Sequence, residues 1–418
     1  MANVFKPNEL AEVFALAFPK KLVYLLNTNN QLNKNLRAGN GATMNIVKPD
    51  YPVIGADAEI NAGTELNYQS GIKQLTVKQW HVAFGAEQMI RTLDIIDFAK
   101  QVARPYAAAL ASDIQKRAIA DGIDNADTSV VVGSAGVLDA SKLRMAPAYI
   151  KKARNFSDDL YGVIDPLLMS QATNLSNLFL PSGISEPMWK DSALGKFAAA
   201  EWFETPDCTD YTAGTCNKLG ANDMTVNANV AEGATQIVVK FAAAPTSGTT
   251  LKAGHRFNVA GVFATDIYGN SIGKLYDFVA KSFTVGGVEV DEITFDGTVT
   301  TATVNLPKPI YASTKPNINV TALPAATTKM TSVFEAGKTY LRGLVWAKEA
   351  VYTGQAKILS MAGTERFGES EDVPQGVIIT YTAGPDILKG REIGRWDWIG
   401  GWCTAQPNWT SAVFLPLS

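Results

Sequence analysis

Tyr161-Gly162-Val163-Ile164-Asp165-Pro166 is the stretch on which the fold turns. It reads as a strand that stops at Asp165, followed by a helix from Leu167 to about Leu178. An Asp at that point can accept hydrogen bonds from the free N–H groups of a first helical turn. Pro166 suits the first helical position, where its missing N–H removes nothing the helix needs. Capping is therefore the main reading of Asp165. A second helix is predicted just upstream, over Ser141 to Arg154.

Further upstream, Pro105 to Asp121 carries the clearest helical pattern in the chain. Tyr106, Leu110, Ile114 and Ala118 form one stripe, Asp113 is placed to pair with Arg117, and Gly122 reads as the stop. Before it, Thr43–Lys48 and Lys73–Phe84 read as two strands joined by a long excursion from Pro49 to Ile72. That excursion contains Asp50, Asp57, Glu59 and Glu65 and no basic residue. A connection of this length points to a functional loop, such as an arm laid on a neighbour, or to disorder. Within the second strand, Leu75 and Val77 share one face, and Trp80, Val82 and Phe84 then take the other, which predicts a bulge near Lys78. At the start of the chain, Leu10, Val13, Phe14 and Ala17 recur at helical spacing before Pro19 interrupts the pattern.

Downstream the composition shifts after Lys218. Short alternating segments at Gln236–Phe241, Arg256–Val262, Tyr276–Val285, Val288–Phe295 and Thr298–Leu306, separated by Gly, Asn, Asp or Pro, predict a small all-β barrel or sandwich with the look of an insertion. Mixed character returns after Met330, and the tail alternates through Gly376–Thr382 and Arg391–Cys403. Trp396, Trp398, Trp402 and Trp409, half of the eight tryptophans, lie in this tail and read as core or interface anchors.

Composition excludes several function classes. At 418 residues with 46% hydrophobic and 18% charged residues, the chain is an ordinary globular protein of more than one structural unit. Lys plus Arg number 37 against 40 Asp plus Glu, too few cations for tight binding to nucleic-acid phosphates. No segment approaches the ~20 apolar residues of a membrane span, and the N-terminus lacks the continuous apolar run of a signal peptide. Cys208, Cys216 and Cys403 are too few for a disulfide scaffold; Cys208 and Cys216 flank a short loop and could pair under oxidising conditions, whereas a cytosolic product would keep them reduced.

A search for chemistry finds little. His81 and His255 are the two histidines, the first in an alternating strand and the second in a Gly-His turn. Neither has a neighbouring Cys, Asp or Glu at metal-ligand spacing. Gly269-Asn270-Ser271-Ile272-Gly273 matches a nucleophile elbow in letters, but it lies among short strands and no His follows Ser271, so a turn is expected there. Gly39-Asn40-Gly41 and Gly337-Lys338-Thr339 fail as phosphate loops. Asp158 with Asp159, and the run Glu365, Glu369, Glu371 and Asp372, read as solvated loops. No catalytic, cofactor-binding or metal-ligating residue is assigned, and no enzyme activity is expected.

Three stretches carry a resemblance. Tyr161 to Pro166 with its helix, Leu251-Lys252-Ala253-Gly254-His255-Arg256-Phe257, and Val102 to Gly122 are similar to the axial strand-helix junction, the inserted-domain turn and the approach to the spine helix of tailed-bacteriophage major capsid proteins. These have the Hong Kong 97-type fold, and the likeness is to the podovirus coat-protein branch with an inserted β domain. The family's turn often has Asp where this chain has His255.

The resemblance implies an α+β fold divided as follows: N-terminal arm 1–42, extended-loop hairpin 43–85, peripheral domain with spine helix 86–140, axial domain 141–217 and 329–375, inserted β-barrel domain 218–328, and a β-rich C-terminal segment 376–418. It further implies hexamers and pentamers in an icosahedral shell, a separate scaffolding protein, a portal protein, and double-stranded DNA enclosed without sequence-specific binding. Assembly would take place in the host cytoplasm, the mature location would be the virion, and no membrane would be involved. Some members weld subunits through a Lys on the extended loop; here Lys48 and Lys73 stand only at its base, so a non-covalent shell is expected. The short N-terminus leaves no room for a fused scaffold. Asp50, Asp57, Glu59 and Glu65 would face Lys151, Lys152 and Arg154 of an adjacent subunit. The alternatives are an encapsulin-like cellular nanocompartment shell and a surface-layer or tail structural protein.

Overall fold

The computed structural model describes residues 7–19, 22–31, 42–48, 71–86, 99–134, 136–154, 159–173, 195–197, 199–220, 222–314, 317–356, 366–369, 377–386 and 391–417. The chain is mixed α/β and mostly strand. It divides into two compact units, each drawn from separated stretches: Met1–Ile46, Lys73–Ile119 and Val351–Cys403 in the first, and Val47–Ile72, Ala120–Ala350 and Thr404–Ser418 in the second.

The first unit is built around the strand Arg391–Thr404, which pairs antiparallel with Thr380–Asp386 and with Lys78–Ala86 in a five-stranded sheet. Trp396 and Trp398 on this strand are almost wholly buried. The N-terminal helix Pro7–Ala17 buries Leu10 and Phe14 of the predicted stripe together with Ala11 and Ala15, while Val13 and Ala17 are half-buried at its margin. Phe14 stacks on Trp396 at 4.9 Å, and the Trp396 indole N–H donates to the Leu10 carbonyl at 3.2 Å. Phe84 stacks on the same indole at 4.7 Å, with Tyr106 at 6.2 Å. The tryptophans at 396 and 398 are thus core anchors.

The stretch expected as one strand with a bulge is instead two strands, Gly71–Thr76 and Lys78–Ala86, interrupted at Val77. The first forms a two-stranded sheet with Thr43–Lys48, and the second joins the five-stranded sheet. The phase switch between Val77 and Trp80 therefore marks a change of partner sheet, and the Val77 N–H donates to the Ala42 carbonyl at 2.8 Å.

The helix Arg104–Asn125 starts where Pro105 predicts and follows a single π-helical turn at Ala99–Ala103. Its exposed Asp113–Arg117 pair is made at 3.0 Å. Gly122 does not stop it: the helix runs on to Asn125, because its end is held by distant side chains described below.

In the second unit a seven-stranded sheet has Thr339–Ala347 at its centre. That strand pairs antiparallel with Leu160–Ile164 on one side and Thr410–Pro416 on the other, and Thr410–Pro416 pairs parallel with Thr128–Val131. Leu160–Ile164 also pairs parallel with Ala200–Glu204. A Cβ on Gly162 would lie 2.5 Å from the Trp202 ring, so only glycine lets the indole close over this strand. The helices Ala140–Leu143 and Met145–Lys152 pack on the sheet with Leu143, Ala146 and Ile150 buried, two short helices where one was expected.

Met224 to Ser332 contributes every strand of an eight-stranded sheet, paired antiparallel throughout. Its strand order runs as an open path from Ser271–Val279 to Val288–Val290, in the region where short strands predict a small barrel or sandwich. Gln236–Phe241 has the predicted bounds, while Tyr276–Val285 resolves into the end of one strand and the whole of the next.

Candidate functional site: the sheet junction and the basic helix end

The last turn of an α-helix leaves its carbonyls without intrahelical donors. At the end of Arg104–Asn125 these acceptors are met by two cations from the 224–332 region. Arg256 donates through Nη2 to the Ile123 carbonyl and through Nη1 to that of Ala126 at 3.4 Å. Lys308 Nζ donates to the Asn125 carbonyl at 2.5 Å and pairs with the Asp127 carboxylate. Positive charge here also complements the negative end of the helix dipole. The Arg256 side chain is 1% exposed and lies over the Phe414 ring at 5.3 Å. Its partner Asp277, 0% exposed, sits 3.4 Å from Nη1 and accepts from Asn258 Nδ2 at 2.6 Å.

Charges this deep need partners, because desolvation costs several kcal/mol per ion. Burial lowers the pKa of Arg256, opposed by Asp277 and Asp124. Burial likewise raises the Asp124 carboxyl, opposed by Arg256 and Arg342.

Next to this clasp lies His255, wholly buried. Gly254, at φ +86°, turns the chain into it, and a Cβ there would meet the Tyr211 ring at 3.0 Å. The imidazole packs on Phe257 at 4.7 Å and edge-on to Phe334 at 5.7 Å. Phe334 in turn contacts Tyr211, Tyr340 and Phe414 of the seven-stranded sheet and its paired strand. His255 Nε2 lies 2.8 Å from Ser332 Oγ. Desolvation pushes the His255 pKa down to about 3.

The strand-helix junction is built as predicted. Asp165 Oδ1 accepts from the Leu167 N–H at 2.8 Å, and Pro166 opens the helix Pro166–Thr173. Burial raises the Asp165 carboxyl, although the backbone donors of Leu167 and Leu168 pull it down. The turn at Gly269–Gly273 is a hairpin connection, with Asp266 Oδ1 accepting from the N–H groups of Tyr268 and Asn270 at 2.9 and 2.8 Å.

Of the residues expected at subunit contacts, Asp50, Asp57, Glu59 and Glu65 lie outside the described residues. Lys151 and Lys152 are exposed on the last turn of Met145–Lys152. Arg154 differs: it adopts a left-handed φ of 58°, its Nε lies 3.3 Å from Asp266 Oδ2, and its guanidinium covers the Tyr268 ring at 4.9 Å. It fastens the helix end to the eight-stranded sheet's hairpin within the same chain.

His81 is exposed on its strand opposite Asp397. Cys208, Cys216 and Cys403 are all buried. Burial raises the Cys208 and Cys216 thiols further above the neutral range. Among the described residues no group of three or more His, Cys, Asp or Glu could hold a metal ion, and no helix is long and apolar enough to cross a membrane. Asp158, Glu365, Glu371 and Asp372 lie outside the described residues. The sequence assigns no role to Arg256, Asp277 or Lys308. Arg256 and Asn258 alternate with Phe257 and Val259, yet all four are buried, Arg256 against the helix end and the Phe414 ring and Asn258 against Tyr276 and Asp277, contacts that lie far from them in sequence.

No protein-family model matches the sequence, and no curated protein matches it. Solved structures similar to it include one from Mycobacterium phage Che8, 11% identical, covering 93% of this chain and 89% of that one at a TM-score of 0.44. The asymmetric unit of the bacteriophage PhiM1 mature capsid is 9% identical, covering 93% and 85% at 0.42. The capsid structure of the Cyanophage P-SCSP1u is 9% identical, covering 94% and 87% at 0.41. Over nearly its whole length the chain is similar to phage structures, two of them capsids.

Proposed function

We propose that the chain is a self-assembling shell subunit, the major capsid protein of a tailed phage. In this reading it forms hexamers and pentamers of an icosahedral virion shell, assembled in the host cytoplasm on a separate scaffolding protein, with a portal at one vertex and double-stranded DNA inside. The observation that carries the reading is the order of elements along the chain. A helical arm, a two-stranded hairpin around a long acidic excursion, one long helix, a strand capped into a helix by Asp165, a region of short strands and a β-rich tail follow one another, an order that supports such a subunit.

A closed shell needs several different contacts per subunit, and extended arms supply them. The acidic excursion with Asp50, Asp57, Glu59 and Glu65 is the arm, and Lys151 and Lys152 are its counterpart on a neighbour. Arg154 is set aside from that role, because Asp266 and Tyr268 already engage it. Screening then weakens assembly as salt rises. The subunits stay unlinked on boiling and reduction, since no Lys lies between Asp50 and Ile72.

Electron microscopy of purified assemblies tests the reading. Large icosahedral shells of DNA-packaging size are the expected result. Small cargo-filled shells would replace it with a nanocompartment, and sheets or tubes with a surface-layer or tail protein.

A further inference from the structure

His255 stands where two sheets of the second unit meet, and its hydrogen bonds decide which ring nitrogen carries the proton. Ser332 Oγ donates to the Phe334 carbonyl at 2.5 Å and accepts from the Phe334 N–H at 2.9 Å. Its remaining capacity is as an acceptor, so His255 must donate from Nε2. Nδ1 is then the bare nitrogen. It is buried and has no hydrogen-bond partner among the described residues.

A proton arriving from solution can bind only at Nδ1, and nothing there would receive the new N–H. The ionisable groups on the surrounding elements do not offset the charge. Arg256 is the next residue in the strand and already cationic; Lys252 precedes the turn, and Lys329 opens the strand that carries Ser332. Tyr211 and Tyr340 are held neutral, their hydroxyls raised chiefly by burial. Of the carboxylates, Asp277 and Asp124 are already committed to Arg256, and Glu335 is 69% exposed and engaged with Lys338 at 2.6 Å; Arg342, which faces Tyr211, is a further cation. An imidazolium would thus sit unpaired in an aromatic box beside a second cation.

We infer that His255 makes the junction of the eight-stranded and seven-stranded sheets acid-labile: protonation at Nδ1 expels the imidazole from its seat against Phe257 and Phe334 and loosens the strands that meet there. The sign follows from linkage. A neutral buried His binds its proton more readily once released, so the junction keeps its full strength above the ordinary His pKa of about 6.5 and weakens about tenfold per pH unit below it. The folded-state value of about 3 puts physiological acidification inside that window. The inference does not depend on the shell reading and stands for a lone subunit.

The test is hydrogen–deuterium exchange on the full chain between pH 7.5 and 4.5, with rates corrected for the intrinsic pH dependence of exchange. Peptides covering 250–260 and 329–341 should lose about a hundredfold in protection at pH 4.5, while those covering 391–404 hold theirs. His255→Gln keeps a donor for Ser332 but cannot take up a proton there, and His255→Phe keeps the ring; both should reduce the acid response to less than about threefold. Should one variant not fold, the other carries the comparison. Constant wild-type protection across the range, or an equal acid response in the variants, would overturn the inference.

Discussion

The two ends of the helix Arg104–Asn125 are secured by opposite physics. Its beginning, in the first unit, sets Tyr106 tilted against Trp396 and edge-on to Phe84, in a cluster where Phe84 and Phe14 stack on the Trp396 indole. Its end, in the second, is gripped by the buried cations Arg256 and Lys308 acting on named carbonyl oxygens. Ring packing tolerates small displacements and is indifferent to salt and mild acid. A buried ion holds only while every partner is in place, and removing one leaves the others stranded. The first end is therefore secured by shape and area, the second by direction and count.

Trp396→Ala should give the largest effect, about 3–5 kcal/mol of lost stability by chemical denaturation, independent of salt. A loss below about 1 kcal/mol would mean that the aromatic end is not a core. Arg256→Met should cost about 3 kcal/mol because Asp277 is left buried without its cation, and adding Asp277→Asn should recover most of it. If the double variant were as unstable as the sum of the singles, the clasp would not be ionic in origin. Arg154→Gly should change stability by less than about 1 kcal/mol, since relief of the left-handed backbone offsets the lost contact with Asp266; Arg154→Ala, which keeps the strain, should be the worse of the two. Smaller still is Arg117→Ala on the exposed flank of the same helix, about 0.3–0.5 kcal/mol at low salt and less at high salt. Thermal melts at two ionic strengths would separate this screened pair from the buried ones.

A milder acid response belongs to Glu232, whose Oε1 accepts from the N–H groups of Ala312, Ser313 and Thr314. These donors, Ser313 foremost, hold its pKa down to about 2. Its contribution is complete above the ordinary Glu value of 4.5 and fades as pH falls toward 2, a window that overlaps only the lower part of that of His255. Glu232→Gln should leave stability at pH 5 to 7 within a few tenths of a kcal/mol and flatten only the most acidic limb of a pH–stability curve.

What could be read in the sequence was what is decided locally. Asp165-Pro166 announces its own cap within three residues, and Thr43–Lys48 and Gln236–Phe241 declare themselves by alternation. Gly122 misled because the force that carries the helix past it comes from Arg256 and Lys308, more than 130 positions on. The phase change at Val77 was visible as a bulge, but which sheet each half would join was not, since pairing is a property of two segments. His255 is legible only as part of a Gly-His turn; its depth depends on Phe334, Tyr211 and Tyr340, none of them near it in sequence. Lys151 and Lys152 were legible as charges, whereas the diversion of Arg154 to Asp266 was not.

The strand Thr410–Pro416 lies between Thr128–Val131 and the central strand Thr339–Ala347, and the Thr128 hydroxyl meets that of Ser411 across 283 positions of chain. During synthesis, the edge of Thr339–Ala347 and the short strand 128–131 must both wait, unpaired, until residues beyond 410 have left the ribosome. Pairings this distant are slow to form and leave strand edges open to other chains in the interval. The second unit thus cannot close until that strand is free, and nascent copies on one message would be exposed to one another at the stage when their sheets are incomplete.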